Sequence, residues 1–333
     1  MHDALYYDKK GEGIVCNLCP HLCTISGGKT GFCGVRKNVD GVLKSLVYGR
    51  PVAVNADPIE KKPLYHFLPG SKAFSIGTVG CNLACLHCQN WDISRARPRQ
   101  DSPMIAPDEI VRLALDRGCK SVSYTYNEPT VFYEYMTDIA GLARKKGLKN
   151  VIVSNGFINP EPLNKLCRLI DAANIDLKAF DDSFYKTVCS GRLEPVLDSL
   201  KIIKAAGVWL EVTNLIIPGR NSDKDKIRDM CRWITKALGI EVPLHFTAFY
   251  PCYKMTDINA TPASMLEEAR RIALDEGIKY VYVGNVYSAG GGNTYCPECK
   301  ALLVERIGYG IRVVGLKDGC CGECGARIAG VWG

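Results

Sequence analysis

The sequence predicts an α/β protein in which repeated βα units form a full or partial barrel, with a small cysteine-rich module on each side. Short β-branched runs alternate with amphipathic helical stretches between residue 73 and about residue 283. This alternation is missing before residue 71 and after about residue 292, where many of the 17 cysteines lie. We therefore predict an N-terminal module and lead-in at 1–70, a barrel at 71–292 and a C-terminal module at 293–333.

The predicted barrel consists of strand candidates separated by helices. Strands are predicted at 73–78, 121–124, 150–154, 172–178, 208–217, 242–248 and 280–283. The helix predicted at 108–117 follows Pro107, a residue tolerated at a helix start, and carries apolar residues at helical spacing. At least six βα units in about 210 residues favour a barrel, and an open doubly wound sheet is the alternative.

Composition narrows the class of protein. The chain of 333 residues has a net charge of +7, but its basic residues are dispersed, so nucleic acid is not expected as the primary substrate. Its longest apolar stretches, such as 208–218, are too short to span a membrane. The polar N-terminus does not read as a signal peptide, so we expect a cytoplasmic protein.

In a cytoplasmic protein, abundant cysteines indicate metal ligands or catalysis rather than disulfides. Twelve of the 17 cysteines fall into three groups: Cys16, Cys19, Cys23 and Cys33; Cys81, Cys85 and Cys88; and Cys296, Cys299, Cys320, Cys321 and Cys324. The isolated cysteines are predicted to be small buried hydrophobic residues: Cys119, Cys167, Cys189, Cys231 and Cys252.

The central group directly follows the first predicted strand of the barrel. Cys81, Cys85 and Cys88 lie within eight residues. A [4Fe–4S] cluster has four irons, so three cysteines leave one iron open to a small ligand, whereas a closed structural site uses four protein ligands. Half of a zinc site or a chance grouping of cysteines is the alternative interpretation.

The C-x3-C-x2-C spacing after the first strand resembles the radical S-adenosylmethionine (SAM) superfamily. This resemblance implies a partial (βα)6-type barrel and SAM bound to the open iron. It further implies that one electron cleaves SAM to methionine and a 5′-deoxyadenosyl radical, which abstracts hydrogen from a substrate. Such chemistry implies anaerobic conditions and an electron donor such as flavodoxin or ferredoxin.

Later strand ends resemble the SAM-binding segments of this superfamily. Segment 126–129 (Tyr-Asn-Glu-Pro) lies where the family has Gly-Gly-Glu-Pro, so two glycines are replaced. Segments 154–157 (Ser-Asn-Gly-Phe) and 176–178 (Asp-Leu-Lys) resemble segments of glycyl-radical-enzyme activases, although Asp-Leu-Lys alone is also typical of a strand end with a solvated lysine. The resemblance implies these SAM contacts: Asn127, Glu128, Ser154, Asn155, Asp176, Lys178 and His245. A core histidine is the alternative for His245.

The two terminal cysteine groups are complete sites with four thiolates each. Cys16, Cys19, Cys23 and Cys33 suit either zinc or an auxiliary iron–sulfur cluster, with metal-free thiols as the third alternative. The paired CxxC knuckles of Cys296, Cys299, Cys321 and Cys324 indicate a zinc ribbon, or a rubredoxin-like iron site with the same spacing. Cys320 is predicted to be the spare thiol.

Nearly the whole chain resembles the AmmeMemoRadiSam system radical SAM enzymes, which are similar to pyruvate formate-lyase activating enzymes. The resemblance implies Memo-type or AMMECR1-domain proteins as partners and names no substrate. We therefore expect a radical SAM oxidoreductase that abstracts hydrogen, with a glycyl-radical-enzyme activase as one version. The alternative from another class is a non-catalytic electron carrier or nucleic-acid-binding zinc protein.

Overall fold

The N-terminal segment forms two small antiparallel sheets. The computed structural model describes residues 1–11, 13–99 and 101–333. One sheet has the order β2-β3-β4 and the other has the order β1-β6-β5. The strands are β1 (His2–Asp3), β2 (Tyr7–Lys10), β3 (Gly13–Cys16), β4 (Thr24–Ile25), β5 (Arg36–Val39) and β6 (Val42–Ser45).

The central sheet contains the βα units that the sequence predicted. Its strands are β7 (Ala53–Pro58), β8 (Lys72–Gly77), β9 (Ser121–Tyr124), β10 (Lys149–Ser154), β11 (Ala172–Asp176), β12 (Trp209–Ile216), β13 (Leu244–Ala248) and β14 (Val281–Gly284). Strands β8 to β14 are parallel and lie side by side in chain order, with β7 and β14 at the two edges. A doubly wound sheet reverses its strand order, so the partial barrel is confirmed and the alternative is wrong.

A helix follows each parallel strand from β8 to β13, which confirms the six βα units. The helices are α1 (Trp91–Ser94), α2 (Pro107–Asp116), α3 (Tyr133–Lys145), α4 (Pro160–Leu166), α5 (Asp182–Phe184), α6 (Leu193–Ala205), α7 (Lys224–Ala237) and α8 (Ala263–Asp275). Pro107 begins α2, whose buried face carries Ile110, Val111 and Ala114. None of the described helices has the length and apolar character that crossing a bilayer requires.

The structure extends the central sheet beyond the predicted strands. β7 pairs antiparallel with β8, although it lies inside the segment predicted as N-terminal module and lead-in. Its sequence, Ala-Val-Asn-Ala-Asp-Pro, lacks regular apolar alternation because it is an edge strand with exposed positions. Strand β11 ends at Asp176, two residues before its predicted end at residue 178. It ends there because the backbone of Lys178 bonds the side chains of Tyr185 and Asn221 instead of a neighbouring strand.

The C-terminal segment is a small antiparallel module with its own apolar cluster. Its strands are β15 (Thr294–Tyr295), β16 (Leu302–Ile307), β17 (Gly310–Val313), β18 (Leu316–Lys317) and β19 (Cys320–Cys321). Leu303, Val304 and Ile328 pack in this cluster with Tyr280 and Tyr282. Since Tyr282 belongs to β14, the module packs against the last strand of the barrel.

Candidate active site at the carboxyl ends of the strands

A large cavity lies at the carboxyl ends of the parallel strands, where barrel enzymes gather their chemistry. The volume of this cavity is about 550 Å³. All predicted cluster and SAM residues line it: Cys81, Cys85, Cys88, Asn127, Glu128, Ser154, Asn155, Asp176, Lys178 and His245. The structure thus brings together residues from β8 to β13 that are distant in sequence.

The cysteine loop lies between β8 and α1 and is held at both ends. At Gly80, φ is +94°, and an added Cβ would lie 2.6 Å from Val35 Cγ1 and 2.9 Å from the Cys33 carbonyl. Further along, the Ala84 amide donates to the Cys189 carbonyl at 2.9 Å, which joins the loop to a π-helical turn at Tyr185–Cys189. Packing against two other segments therefore sets the path of the three thiols.

Asn127 stabilises the start of this loop. Its Nδ2 donates to the Gly80 carbonyl at 2.7 Å, and its Oδ1 accepts from the Thr78 amide at 3.2 Å. The preceding Tyr126 has φ +71°, and its carbonyl accepts from Asn90 Nδ2 at 2.6 Å. Asn127 therefore orients the cysteine loop, and direct contact with SAM stays a prediction.

Glu128 is almost fully buried, and protein donors already engage both carboxylate oxygens. Oε1 accepts from the Thr130 amide at 3.0 Å, the Thr130 hydroxyl at 2.7 Å and the Ser154 hydroxyl at 2.8 Å. Oε2 accepts from the Asn155 amide at 2.8 Å. Burial raises the pKa of Glu128 although these donors oppose it. The carboxylate thus positions Ser154 and Asn155, and its predicted contact with SAM is not tested by this arrangement.

Asn155 reaches from β10 to the cysteine loop. Its Nδ2 donates to Asn82 Oδ1 at 2.9 Å and lies 3.8 Å from Cys81 Sγ. Its Oδ1 accepts from the Phe157 amide at 2.8 Å, which fixes the orientation of the amide group. A side-chain N–H is thereby directed toward a cluster thiol.

Lys178 supplies a cation to the cavity. Its Nζ donates to Asp176 Oδ2 at 2.9 Å, and its side chain is largely buried. Burial opposes the charged form, but the Asp176 carboxylate and a thiolate at Cys85 outweigh it and raise the pKa of Lys178. A persistently charged ammonium facing a cavity suits a carboxylate ligand.

Cys189 is a site residue that sequence reasoning missed. It is buried, as predicted for an isolated cysteine, but Cys85 Sγ, a ring nitrogen of His87 and Cys189 Sγ lie within 4.8 Å of one another. The neighbouring Cys189 thiol lowers the pKa of Cys85, and burial lowers the pKa of His87 to about 3. An isolated cysteine far from the CxxxCxxC segment carries no spacing signal that could have identified this contact.

His245 lies on the cavity wall with its ring already bonded. Its Nε2 is 2.6 Å from Glu211 Oε2, and both side chains are buried. Glu211 Oε2 also accepts from the Tyr65 amide at 3.0 Å, and Oε1 accepts from the His66 amide at 2.8 Å. This geometry favours the core-histidine alternative, while a contact between His245 and SAM stays a prediction.

A second lysine faces the cavity from the lead-in segment that sequence reasoning left unassigned. Lys62 Nζ donates to Asp57 Oδ2 at 2.7 Å, and the same oxygen accepts from the Tyr126 hydroxyl at 2.5 Å. Burial opposes ionisation of Asp57, but these donors outweigh it and hold the pKa below its usual range. Asp57 thus joins β7 to Lys62 by a buried ion pair and to the Tyr126 segment by a hydrogen bond.

The two terminal cysteine groups differ in their packing. In the C-terminal ribbon, Cys296 and Cys324 have their sulfurs 3.6 Å apart, as do Cys299 and Cys321. All four sulfurs lie within 4.8 Å of one another, and Cys320 is not among them. The N-terminal cysteines line a separate small cavity.

The residues around the large cavity fit the groups that the sequence implies. Three thiols on one loop can hold three irons of a [4Fe–4S] cluster, and His87 Nδ1 is buried without a hydrogen-bond partner among the described residues. The cavity falls within the 300–1,000 Å³ range usual for cofactor and small-molecule sites. Lys178 and Asn155 present donors to this space.

Comparisons with known proteins agree with this geometry. Residues 75–234 match the Radical SAM superfamily. An uncharacterized protein of Methanocaldococcus jannaschii is 46% identical over 98% of this chain and 99% of its own length. A pyruvate formate-lyase-activating enzyme of Clostridium pasteurianum is 22% identical over 60% of this chain and 87% of its own length. The structure of a radical SAM methyltransferase from Sphaerobacter thermophilus matches with a TM-score of 0.51 at 12% identity, covering 66% of this chain and 67% of that chain.

Proposed function

This chain belongs to the radical SAM superfamily, and from that premise we propose that it abstracts hydrogen from a carbon of its substrate after reductive cleavage of SAM. Cys81, Cys85 and Cys88 would hold the [4Fe–4S] cluster. When bound, the reduced cluster and SAM supply a 5′-deoxyadenosyl radical. One observation carries the proposal: the three thiols and the SAM-binding candidates of four later strands line a single cavity.

The residues of the chain would bind and orient the cofactors. The Lys178 ammonium pairs with the SAM carboxylate, because its only bonded acceptor in the described residues is the Asp176 carboxylate, which leaves further N–H donors. Asn155 donates toward Cys81, and Glu128 keeps the Ser154–Asn155 turn in place. Cavity walls from the surrounding strand ends exclude water from the reacting carbon.

The substrate in this proposal is a protein backbone or another group delivered by a partner. Similarity to a pyruvate formate-lyase-activating enzyme supports the version in which the chain is a glycyl-radical-enzyme activase. The cysteine modules at both ends of the chain favour a different substrate, because a simple activase does not need them. A dehydrogenation or rearrangement of a small molecule is the remaining version.

A non-catalytic electron carrier or a nucleic-acid-binding zinc protein is the competing class of function. Such a protein would use the cysteine sites but would not need a cavity of about 550 Å³ beside three cluster thiols. It would also not need the Lys178–Asp176 pair facing that cavity. The following experiment separates the two classes.

We would incubate the anaerobic, iron-loaded protein with dithionite and SAM and quantify 5′-deoxyadenosine by mass spectrometry. The wild type should release the nucleoside, and the C81A/C85A/C88A variant should not. Cys167→Ala, which changes a buried thiol outside the cavity, is the matched control and should retain release. Iron-loaded wild type that binds SAM but releases no nucleoside would contradict the proposal.

Partners are proposed on the basis of family resemblance alone. Memo-type and AMMECR1-domain proteins are the proposed substrate carriers, and a flavodoxin or ferredoxin is the proposed electron donor in a cytoplasmic, reducing setting. We would prepare each candidate carrier from cells grown in deuterated medium and add it to the SAM reaction. Deuterium in 5′-deoxyadenosine would identify the carrier that loses hydrogen, and unlabelled nucleoside with every carrier would exclude them as substrates.

A further inference from the structure

The N-terminal cysteines line a small cavity between two small sheets and the barrel. Cys16 ends β3, and its amide donates to the Cys23 carbonyl at 2.9 Å, which brings both ends of this turn together. Cys33 precedes β5, and all four cysteines of the group line one cavity. The wall on the barrel side includes Asn82, the residue after Cys81, whose carbonyl is 2.7 Å from His21 Nε2.

The ribbon at the other end of the chain provides an internal standard for a mononuclear site. Zinc binds sulfur at about 2.3 Å in tetrahedral sites, which separates the sulfurs by about 3.8 Å. The ribbon sulfurs are 3.6 Å apart in the two pairs Cys296–Cys324 and Cys299–Cys321 and match this spacing. Their arrangement is therefore that of a site closed on a single ion.

The N-terminal sulfurs are arranged differently. Among the described residues, the groups whose ligand atoms all lie within 4.8 Å are the ribbon tetrad and Cys85, His87 and Cys189. The N-terminal tetrad is not among them, and neither is the triad at positions 81, 85 and 88. Since irons and sulfides separate the cysteine sulfurs around a cluster, the lack of a compact arrangement in either group fits the same kind of ligand.

The N-terminal cysteines also border open space, as a tetrad closed on a single ion would not need to. About 20 Å³ of the cavity is open to the centre of a water-sized sphere. A zinc ion lies about 2.3 Å from each sulfur, and this distance is shorter than the contact distance between a sulfur and a water molecule. Four thiolates closed on zinc therefore leave no room for a water molecule between them. A polynuclear cluster, in contrast, needs more room between its four thiolates than a single ion does.

The cavity wall contains an unused donor suited to a sulfur ligand. Arg36 is buried, and its Nη1 donates to both oxygens of Glu134 at 2.9 and 3.2 Å. Its Nε has no hydrogen-bond partner among the described residues, although Arg36 lines the cavity. Iron–sulfur clusters commonly accept N–H hydrogen bonds on their sulfurs, and Phe32 already directs its amide at Cys23 Sγ at 3.4 Å.

We propose that Cys16, Cys19, Cys23 and Cys33 bind an auxiliary [4Fe–4S] cluster, whereas the ribbon binds a single ion. Each iron of this cluster has a protein thiolate, so the cluster is closed and does not bind SAM. Arg36 Nε–H then donates to a sulfur of the cluster. The proposal concerns metal content and does not depend on whether the chain cleaves SAM.

Metal analysis of the C81A/C85A/C88A variant tests the proposal. The full-length variant would be produced in cells supplied with both iron and zinc, purified anaerobically and analysed for iron, zinc and acid-labile sulfide. We expect about four irons, about four sulfides and one zinc per chain, with the Mössbauer spectrum of a [4Fe–4S] cluster. About two zinc ions without iron, or iron without sulfide, would overturn the assignment.

Two further variants assign each metal to its module. Adding C19S/C23S to the triple variant should remove the iron and leave the zinc, whereas adding Cys299→Ser should remove the zinc and leave the iron. Cys320→Ser is the matched control for the ribbon, because its sulfur is outside the compact tetrad, and it should retain both metals. If the C19S/C23S variant does not fold, the wild type decides: about eight irons and one zinc support the cluster, and about four irons and two zinc ions refute it.

Discussion

The polar side chains around the large cavity differ in how many of their polar atoms already form hydrogen bonds within the protein. Glu128 and His245 are bonded within the protein, whereas Lys178 keeps donors for a ligand. Residue type and position at a strand end were predictable from the sequence. The existing bonds were not, because they depend on donors contributed by neighbouring strands.

We predict that Lys178→Met weakens SAM binding. Loss of a hydrogen bond to a charged group costs about 1.5–3 kcal/mol, so the Kd for SAM should rise about 10- to 100-fold. Anaerobic equilibrium dialysis with labelled SAM measures this change. Lys186→Met, which removes an exposed lysine paired with Asp182, should bind as the wild type does; equal affinity of all three proteins would remove Lys178 from the SAM site.

Cys189→Ala should lower the reduction potential of the triad cluster. The mutation removes a thiol within 4.8 Å of Cys85 Sγ that we expect to donate to this ligand, and hydrogen bonds to cluster sulfurs stabilise the reduced, more negative state. One such bond of about 0.5–1.5 kcal/mol corresponds to about 20–60 mV for one electron. A redox titration would follow the EPR signal that changes when SAM is added, with Cys167→Ala as control. An unchanged or higher potential would contradict the predicted hydrogen bond.

Elements with strong periodicity were predictable, and those defined by tertiary contacts were not. The parallel strands were identified because each is a short apolar run that alternates with an amphipathic helical stretch. Strand β7 was missed because an edge strand does not need apolar alternation. The turn at Tyr185–Cys189 was missed as part of the site because only its packing against the cysteine loop brings Cys189 to Cys85.

The cysteine loop should be more sensitive to Gly80→Ala than other turns are to the same change. Gly118 is the matched control, since it has φ +64° and open space around the position of an added Cβ. Gly118→Ala should lower the free energy of unfolding only by the cost of the left-handed backbone conformation, about 1–2 kcal/mol. Gly80→Ala adds a contact at 2.9 Å with the Cys33 carbonyl, so we expect a loss of about 3 kcal/mol or more and less iron in the triad site. Urea unfolding and iron analysis measure both effects, and equal losses in the two variants would show that the Cys33 contact is unimportant.

At the scale of the whole molecule, buried polar contacts fasten the C-terminal module to the barrel. His66 Nδ1 donates to the Ala329 carbonyl at 2.6 Å, so its Nε2 is left to accept from the Tyr282 hydroxyl. That hydroxyl accepts from Thr294 Oγ1 at 2.8 Å, and Thr294 Oγ1 in turn accepts from Arg306 Nη1 at 2.8 Å. Sequence patterns predicted a change of composition near residue 292 but gave no indication of these contacts.

This network predicts that acid weakens the folded state before the carboxylates are protonated. Burial lowers the pKa of His66 from 6.5 to about 4, so the folded state keeps the ring neutral while the unfolded state takes up a proton. Stability should therefore be constant above about pH 7.5 and fall as the pH decreases from 6.5 toward 4, by about 2 kcal/mol at pH 5. His87 acts in the same direction, because burial lowers its pKa to about 3.

His66→Phe isolates the contribution of this histidine. The variant should be less stable than the wild type at pH 7.5, because it loses the bonds to Ala329 and Tyr282, but its loss of stability on going to pH 5 should be smaller by about 2 kcal/mol. Anaerobic urea unfolding at both pH values gives the four free energies, and subtracting the two pH dependences cancels the contribution of His87. Parallel pH dependences in the two proteins would mean that protonation of His66 does not loosen the joint between the barrel and the C-terminal module.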